Sequence, residues 1–204
     1  SPKNWNYCIS LAKGEYIKLL HYDDELAQPD VLEKMEAIFD ENNSTNFVIA
    51  GSVAIAENEK TIFIANEEII EDVKENPAIL IAGNVLGAPS ATMHRKTNLT
   101  YDEQFKWVVD FDFYYRFIKQ HGGLYYLPEA LINTYISDEQ ITNSCITDTS
   151  LILFENLTLY KKFTLTEKLS IKVQMALLNM IGSYDVKSIR TIRDDNYNGS
   201  IPLI

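Results

Sequence analysis

The chain has 204 residues, of which 46% are hydrophobic and 23% charged, a balance that allows a folded domain and excludes a disordered or fibrous chain. Its formal net charge of −11, without any run of Lys or Arg, argues against nucleic acid as a partner. No stretch of about 18 apolar residues occurs, so the sequence predicts no membrane-spanning helix.

The two cysteines, Cys8 and Cys145, lie far apart and form no CxxC pattern. Such cysteines are typical of reduced thiols in the cytoplasm, and we expect neither to bind a metal. Residues 1–5 do not have the character of a signal peptide. The sequence therefore predicts a cytoplasmic protein.

The first elements in chain order are a helix, a strand and a second helix. Residues 6–13 predict a short helix that ends at Gly14 in the left-handed conformation. The apolar run 16–20 predicts a buried strand, which ends at the polar and charged residues 21–24. Pro29 and Asp30 then open a helix whose apolar face carries the residues Val31, Leu32, Met35, Ile38 and Phe39.

The middle of the chain predicts a hairpin, a helix and a loop. Val, Ile and Phe are frequent in the runs 47–56 and 61–65, which are separated by a polar turn and predict a β-hairpin. Residues 67–75 predict a helix. Small residues are frequent over 83–90, which predicts a loop, and residues 91–95 predict the strand that leaves it.

The last part of the chain becomes helical after one more strand. Residues 110–120 predict an amphipathic helix, and 124–127 a strand. A helical pattern then extends over 148–187, with breaks near 163–164 and 182–183. The alternation of strands and helices up to about residue 130 predicts an α/β sheet, whose ligands are expected beyond the carboxyl ends of its strands.

Two separated segments resemble family 2 glycosyltransferases. The first contains Asn4-Trp5-Asn6, residues 12–18, Asp23-Asp24, Leu26, Pro29 and Leu32. The second contains Gly87, residues 89–91, Arg95, Phe105, Trp107, Asp110, residues 112–113 and Arg116, in the family's order. Together the matches cover residues 4 to 142.

The resemblance implies a GT-A fold, which is a Rossmann-like mixed sheet flanked by helices. It implies a partial GT-A domain over residues 1–146 and a C-terminal helical extension over residues 147–204. It also implies that the family's opening strand-helix-strand unit, which holds the nucleotide base, has no counterpart in this sequence.

The resemblance places Asp23 and Asp24 at the family's DXD-type motif, and therefore implies a divalent cation, Mn²⁺ or Mg²⁺, and a nucleotide diphosphate at these residues. Paired carboxylates bind a diphosphate only through a hard cation, because the two anions repel each other. His21 stands where many members have the first acid of the motif. It could donate to a phosphate or simply end the strand, and the acid pair could equally cap a helix.

The resemblance also implies that Asp110 is the catalytic base, which removes the proton of an acceptor hydroxyl in an inverting transfer. Asp112 lies two positions further along the same helix, so the two carboxylates point in largely opposite directions. Because Asp112 precedes Arg116 by four residues, we expect these two to form an ion pair on the helix surface.

Acceptor binding is implied for the loop with Gly87, Pro89 and Ser90, although the same residues fit an ordinary turn. Trp107 could stack on a sugar or fill the core. Residues 135–142 resemble a family loop that often carries Arg and His, both of which are missing here. Asp138 in this loop could bind metal or be a solvated acid.

The sequence thus predicts an inverting glycosyltransferase that uses a nucleotide-diphosphate sugar and a glycan or lipid-linked acceptor in surface polysaccharide biosynthesis. The alternative is a non-catalytic carbohydrate-binding or scaffolding relative. Lys and Arg accumulate beside apolar residues after residue 160, which allows a homodimer or a peripheral contact with the inner face of the membrane. The same pattern fits helices that pack against the sheet domain.

Overall fold

The computed structural model describes residues 1–57, 59–136, 145 and 148–184, within which six strands form one mixed sheet. The strands are β1 (Tyr16–Ile17), β2 (Asp24–Leu26), β3 (Phe47–Ala56), β4 (Glu59–Phe63), β5 (Thr92–Arg95) and β6 (Leu124–Tyr135). Their order is β1, β5, β3, β6, β2, and β4 pairs with β3 outside this path. Strands β3 and β6 are parallel, and the other described pairs are antiparallel.

Helices cover both faces of the sheet. They are α1 (Pro2–Leu11), α2 (Val31–Glu41), α3 (Glu67–Glu75), α4 (Val109–His121), α5 (Thr149–Lys161), α6 (Leu165–Leu169) and α7 (Ile171–Ser183). Two 3₁₀ segments, Pro77–Ala82 and Pro89–Ala91, flank a connecting loop. The mixed α/β class predicted from the sequence is confirmed.

Strand β3 is the centre of the core because both of its faces are buried. Phe47 and Ile49 point to one side of the sheet, and Val48 and Ala50 point to the other, as alternation along a strand requires. The second side is covered by α2 through Val31, Met35, Ile38 and Phe39. The first side packs against α3, α4 and the C-terminal helices.

Most predicted elements agree with the structure. The hairpin of β3 and β4, the helices α2, α3 and α4, and the break near 163–164 are confirmed. The break predicted near 182–183 is not seen in the part of the chain that the structure describes, because α7 continues through Gly182 to Ser183, and an unpredicted break lies at Ser170. Leu32 was predicted for the buried face of α2 but is 46% exposed, because it lies in the first turn beside the buried Val31.

The predicted left-handed conformation at Gly14 is wrong. Helix α1 ends at Leu11, and its C-cap residue Ala12 has φ −63° and ψ 135°, so the chain becomes extended before Gly14 is reached. Positive φ occurs instead at Gly83, Gly87, Gly122 and Gly123.

Three strands differ from the prediction, two in length and one because it was not predicted. The run 16–20 pairs only over Tyr16–Ile17. Strand β2 was not predicted, since Asp24-Glu25-Leu26 shows no alternation of apolar and polar residues. Strand β6 continues to Tyr135 past a bulge, where Gly51 pairs with Ala130 although the preceding Ala50 pairs with Leu127.

The C-terminal helices share the buried cluster that contains α4. Leu153 and Leu157 of α5, and Val173 and Leu177 of α7, are at most 2% exposed within it. Among the described residues, no helix is both long and apolar enough to cross a bilayer. The division at residue 146 remains a prediction. Of the basic residues that accumulate after residue 160, Lys187, Arg190 and Arg193 lie outside the described residues.

Candidate active site

The structure brings together His21, Asp23 and Asp24, which the sequence singled out as donor and metal residues. One ligand atom from each lies within 4.8 Å of the others. The Nδ1 atom of His21 is 3.8 Å from Oδ2 of Asp24. A turn makes this approach possible, because the Asp24 amide donates to the His21 carbonyl before β2 begins.

Ser90 ties this cluster to the 3₁₀ segment Pro89–Ala91. Its hydroxyl oxygen accepts from the His21 amide at 3.0 Å, and its hydroxyl is hydrogen-bonded to the Asp24 carboxylate. Burial raises the pKa of Asp24, while the bond from Ser90 and the nearby His21 act in the opposite direction. Ser90 is fully buried, so it contacts His21 and Asp24 from the interior of the protein.

Lys18 is a member of this site that the sequence did not single out. Its ammonium group donates to the Ser90 carbonyl. Burial lowers the pKa of Lys18 to about 7, and the negative charge of Asp24 opposes this effect. The motif Tyr16-Ile17-Lys18 carried the resemblance, but nothing in its pattern showed that the lysine turns inward.

His21 has one ring face against Trp5, with the ring centroids 5.0 Å apart and nearly parallel. Burial lowers the pKa of His21, and the charges of Asp24 and Asp23 act to raise it. Its Nε2 atom is buried and has no hydrogen-bond partner in the described structure. Trp5 also meets Tyr101 edge to face at 5.1 Å.

The residues present fit a divalent cation. Two carboxylates and an imidazole converge within 4.8 Å, and the carboxylate oxygens are ligands that Mg²⁺ and Mn²⁺ accept. The partial burial of Asp24 favours a bound positive charge, because a cation would offset the cost of its own desolvated negative charge. Asp23, Asp24 and His21 are therefore the residues that would hold the ion.

Asp110 is the second residue of α4 and is half-buried. Its Oδ2 atom accepts from the side-chain amide of Asn84 at 2.9 Å, and its Oδ1 atom from the Phe111 amide at 3.1 Å. Burial raises the pKa of Asp110 to about 7, with the backbone amides acting in the opposite direction. A carboxylate with this pKa can bind and release a proton near neutral pH.

The loop around Gly87 connects the two parts of the site. Asn84, which binds Asp110, also accepts from the Gly87 amide at 2.7 Å. Gly87 has φ +94° and its carbonyl accepts from the Tyr114 hydroxyl at 3.2 Å. Since Ser90 at the other end of this loop contacts Asp24, one short segment contacts both the predicted base and the predicted metal ligands.

The residues predicted to bind the acceptor are buried or half-buried. Gly87, Pro89 and Ser90 are all buried, and Trp107 is half-buried against the core. Their acceptor role remains a prediction. Asn84 was not identified from the sequence, because a single Asn in a loop of small residues carries no distinctive signal.

Asp112 lies on the other side of α4 and is fully buried. It pairs with Arg116 at 2.6 Å, which confirms the predicted pairing, and with Lys162 of the C-terminal region at 2.6 Å. The predicted surface location is wrong, because the Asp112 side chain is buried. With both oxygens engaged, Asp112 is a structural residue. Asp138 lies outside the described residues.

No protein-family model matches this chain, and no curated protein matches it in sequence. Comparison with solved structures shows a glycosyltransferase-like α/β fold. One matching structure is the crystal structure of S. aureus TarS 1-349, a glycosyltransferase, in complex with UDP. The TM-score is 0.56 and the identity 14%, so the likeness concerns the fold alone.

The match with TarS covers 93% of this chain and 52% of that chain. This sequence therefore spans about half the length of its structural neighbour.

Proposed function

We propose that this chain is an inverting glycosyltransferase of the family 2, GT-A type, which transfers a sugar from a nucleotide-diphosphate donor to a hydroxyl of a glycan or lipid-linked acceptor. One observation carries the proposal: a single loop contacts an acidic cluster, His21, Asp23 and Asp24, at one end and the carboxylate of Asp110 at the other. The fold neighbour with bound UDP supports the same class of donor.

On the donor side, Asp23 and Asp24, with His21 beside them, would hold Mn²⁺ or Mg²⁺. When bound there, the cation would neutralise negative charge on the departing nucleoside diphosphate. Ser90 keeps His21 and Asp24 in place through its two hydrogen bonds. Lys18 fixes Ser90 in turn, so the cluster is held before a donor arrives.

On the acceptor side, Asp110 removes the proton of the attacking hydroxyl. The hydroxyl oxygen forms its new bond to the anomeric carbon as the bond to the diphosphate oxygen breaks on the opposite face, so the configuration inverts. A positioned base of this kind contributes roughly 10²–10⁴-fold to the rate. The pKa of about 7 suits a base that works near neutral pH.

The proposal extends to the acceptor and to the place of action. Gly87, Pro89 and Ser90 would set the backbone of the acceptor pocket, and Trp107 would stack on the sugar. We place the enzyme in the cytoplasm, in surface polysaccharide biosynthesis. Exposed apolar residues on α6 and α7 support a contact of these helices with the inner face of a membrane or with a second copy, namely Leu165, Leu169, Ile171 and Met175.

The test is a screen of nucleotide-diphosphate sugars with Mn²⁺ and an extract of lipid-linked and free glycans, in which mass spectrometry detects transferred sugar. We expect one donor to react, and Asp110→Asn to lower the rate by about 10²-fold or more. Asp40→Asn, an exposed carboxylate on α2, is the matched control and should react like the wild type. Donor binding without any transfer would support the non-catalytic relative instead.

A further inference from the structure

Glu155 of α5 is a buried carboxylate that faces the segment leading into α4. Its side chain is 2% exposed. Oε1 accepts from the Lys106 amide at 2.8 Å, and Oε2 accepts from the amides of Trp107 at 2.7 Å and Val108 at 3.1 Å. In the described part of the chain, no Lys, Arg or His forms a salt bridge with Glu155, so these backbone groups are the partners that compensate its buried charge.

The backbone that Glu155 holds lies immediately before Asp110. Val108 is the N-cap residue of α4 and its side chain forms no capping hydrogen bond. The start of a helix favours a negative charge, because its first N–H groups point outward without partners in the helix. The Val108 carbonyl accepts from the Asp112 amide at 2.9 Å, so a displacement of residues 106–108 would also move the first turn of α4, which carries Asp110.

A second contact from the end of α5 holds α4 just after Asp110. The Lys162 ammonium donates to Oδ1 of Asp112 at 2.6 Å and to Asp102 at 2.7 Å. Arg116 binds the other oxygen of Asp112. Helix α5 and its C-cap residue thus contact the chain on both sides of Asp110, at residues 106–108 and at residue 112.

We propose that Glu155 and Lys162, here named the α5 clamp, position Asp110 for proton removal. The inference rests on the proposed role of Asp110 as the base. Neither clamp residue touches the reacting atoms, so both are positioning residues that act through the backbone of α4 and through Asp112. The C-terminal helices then contribute to catalysis as well as to the stability of the core.

Loss of the α5 clamp should affect proton removal and not donor binding. A base must lie within hydrogen-bond reach of the acceptor hydroxyl, and a misplacement of about 1 Å costs on the order of 10²-fold in rate. The donor side is held by other contacts, those of Ser90 and Lys18, and neither clamp residue touches them. Loss of the clamp should therefore lower kcat while leaving donor KM and nucleotide binding unchanged.

The experiment compares two carboxylates of the C-terminal helices in the full chain. Glu155→Gln preserves size but turns an amide group toward backbone N–H donors. The matched control is Glu167→Gln, because Glu167 binds Lys119 and Tyr115 near the far end of the same helix α4. The readouts are kcat, KM, the pH midpoint of kcat, and amide hydrogen exchange over residues 106–112.

We expect Glu155→Gln to lower kcat by about 10- to 10²-fold, to shift the pH midpoint, and to speed exchange over 106–112. Glu167→Gln should lower the melting temperature without changing kcat or its pH midpoint. If Glu155→Gln does not fold, Lys162→Met replaces it with the same expectation, since Arg116 still compensates Asp112. A clamp variant with the kcat and pH midpoint of the wild type overturns the proposal.

Failure of the proposed function gives a different result. In that case the wild type transfers no sugar from any donor, whereas hydrogen exchange still reports on the clamp. Faster exchange over 106–112 in Glu155→Gln, but not in Glu167→Gln, would support the clamp without catalysis. Equal exchange in the wild type and both variants would overturn it.

Discussion

Asp110, the proposed base, destabilises the folded protein when its carboxylate is ionised. Its pKa rises from the ordinary 3.8 to about 7 because burial disfavours the charged form. Between these two values the folded protein retains a proton that the unfolded chain has released. The contribution of Asp110 to the free energy of unfolding therefore decreases as the pH rises through this window.

Asp110→Asn should remove that pH dependence. Relative to the wild type, the variant should gain stability between about pH 4 and pH 7, by up to roughly 4 kcal/mol, since one pKa unit corresponds to about 1.4 kcal/mol. Urea unfolding of both proteins at about pH 5 and about pH 8 measures the difference. A constant difference between the two proteins across this range would show that the carboxylate is not desolvated.

Asp112, two residues from Asp110, stabilises the folded protein through its ion pairs. It is fully buried between Arg116 and Lys162, whose side chains are 20% and 26% exposed. Asp112→Asn should lower the free energy of unfolding by about 2–3 kcal/mol, somewhat less than for a pair buried on both sides. Asp102→Asn, which loses one contact with Lys162, is the control and should cost under about 1 kcal/mol. Equal losses in the two variants would contradict the structural role given to Asp112.

At the level of elements, the junction between α4 and β6 depends on a glycine pair. Gly122 and Gly123 have φ +60° and +65°, but a Cβ on Gly122 would meet nothing, whereas on Gly123 it would lie 2.1 Å from the Ser44 carbonyl. Gly123→Ala should therefore destabilise by about 2 kcal/mol or more beyond the backbone cost shared with Gly122→Ala. Thermal melting of the two variants gives the comparison, and equal melting temperatures would contradict the close approach.

The sequence predicted those elements whose local pattern determines their conformation. Helix α3 has its predicted bounds, 67–75, and in the structure the side chains of Asn66 and Asn76 each accept from N–H groups that follow them. Strand β2 was missed because its pairing with β6 is a long-range contact that Asp24-Glu25-Leu26 does not show locally. The same holds for Asn84, Lys18 and Glu155, which have roles only through partners distant in sequence.

Within the site, resemblance to a family identified the residues that we propose carry the chemistry, and the structure shows which contacts hold them. Asp23, Asp24 and Asp110 were found from motifs alone. The loop that joins them was expected to bind the acceptor, yet in the structure Ser90 is turned inward toward His21 and Asp24. The physical reason is that hydroxyl and amide groups in a buried loop must form hydrogen bonds. The local sequence does not determine where the partners of those bonds lie.

For the whole molecule, the C-terminal helices complete the core. Leu153, Leu157, Val173 and Leu177 are buried there, and each such side chain contributes about 1.5–3 kcal/mol. Domains are stable by only about 5–15 kcal/mol, so a chain ending at residue 147 should show no cooperative melting. The full chain is the reference and should melt cooperatively. Cooperative melting of the shorter chain would instead support an independent domain over residues 1–146.

The central claim, that the acidic cluster binds a nucleoside diphosphate through a divalent cation, is tested most directly by calorimetric titration of UDP, GDP and CDP with Mn²⁺ or with EDTA. We predict that one nucleotide binds only when Mn²⁺ is present, that Asp24→Ala weakens this binding by about 10²-fold or more, and that Asp30→Ala, an exposed acid at the start of α2, leaves it unchanged. Binding by Asp24→Ala equal to that of the wild type, or no binding of any nucleotide by the wild type, would contradict the account.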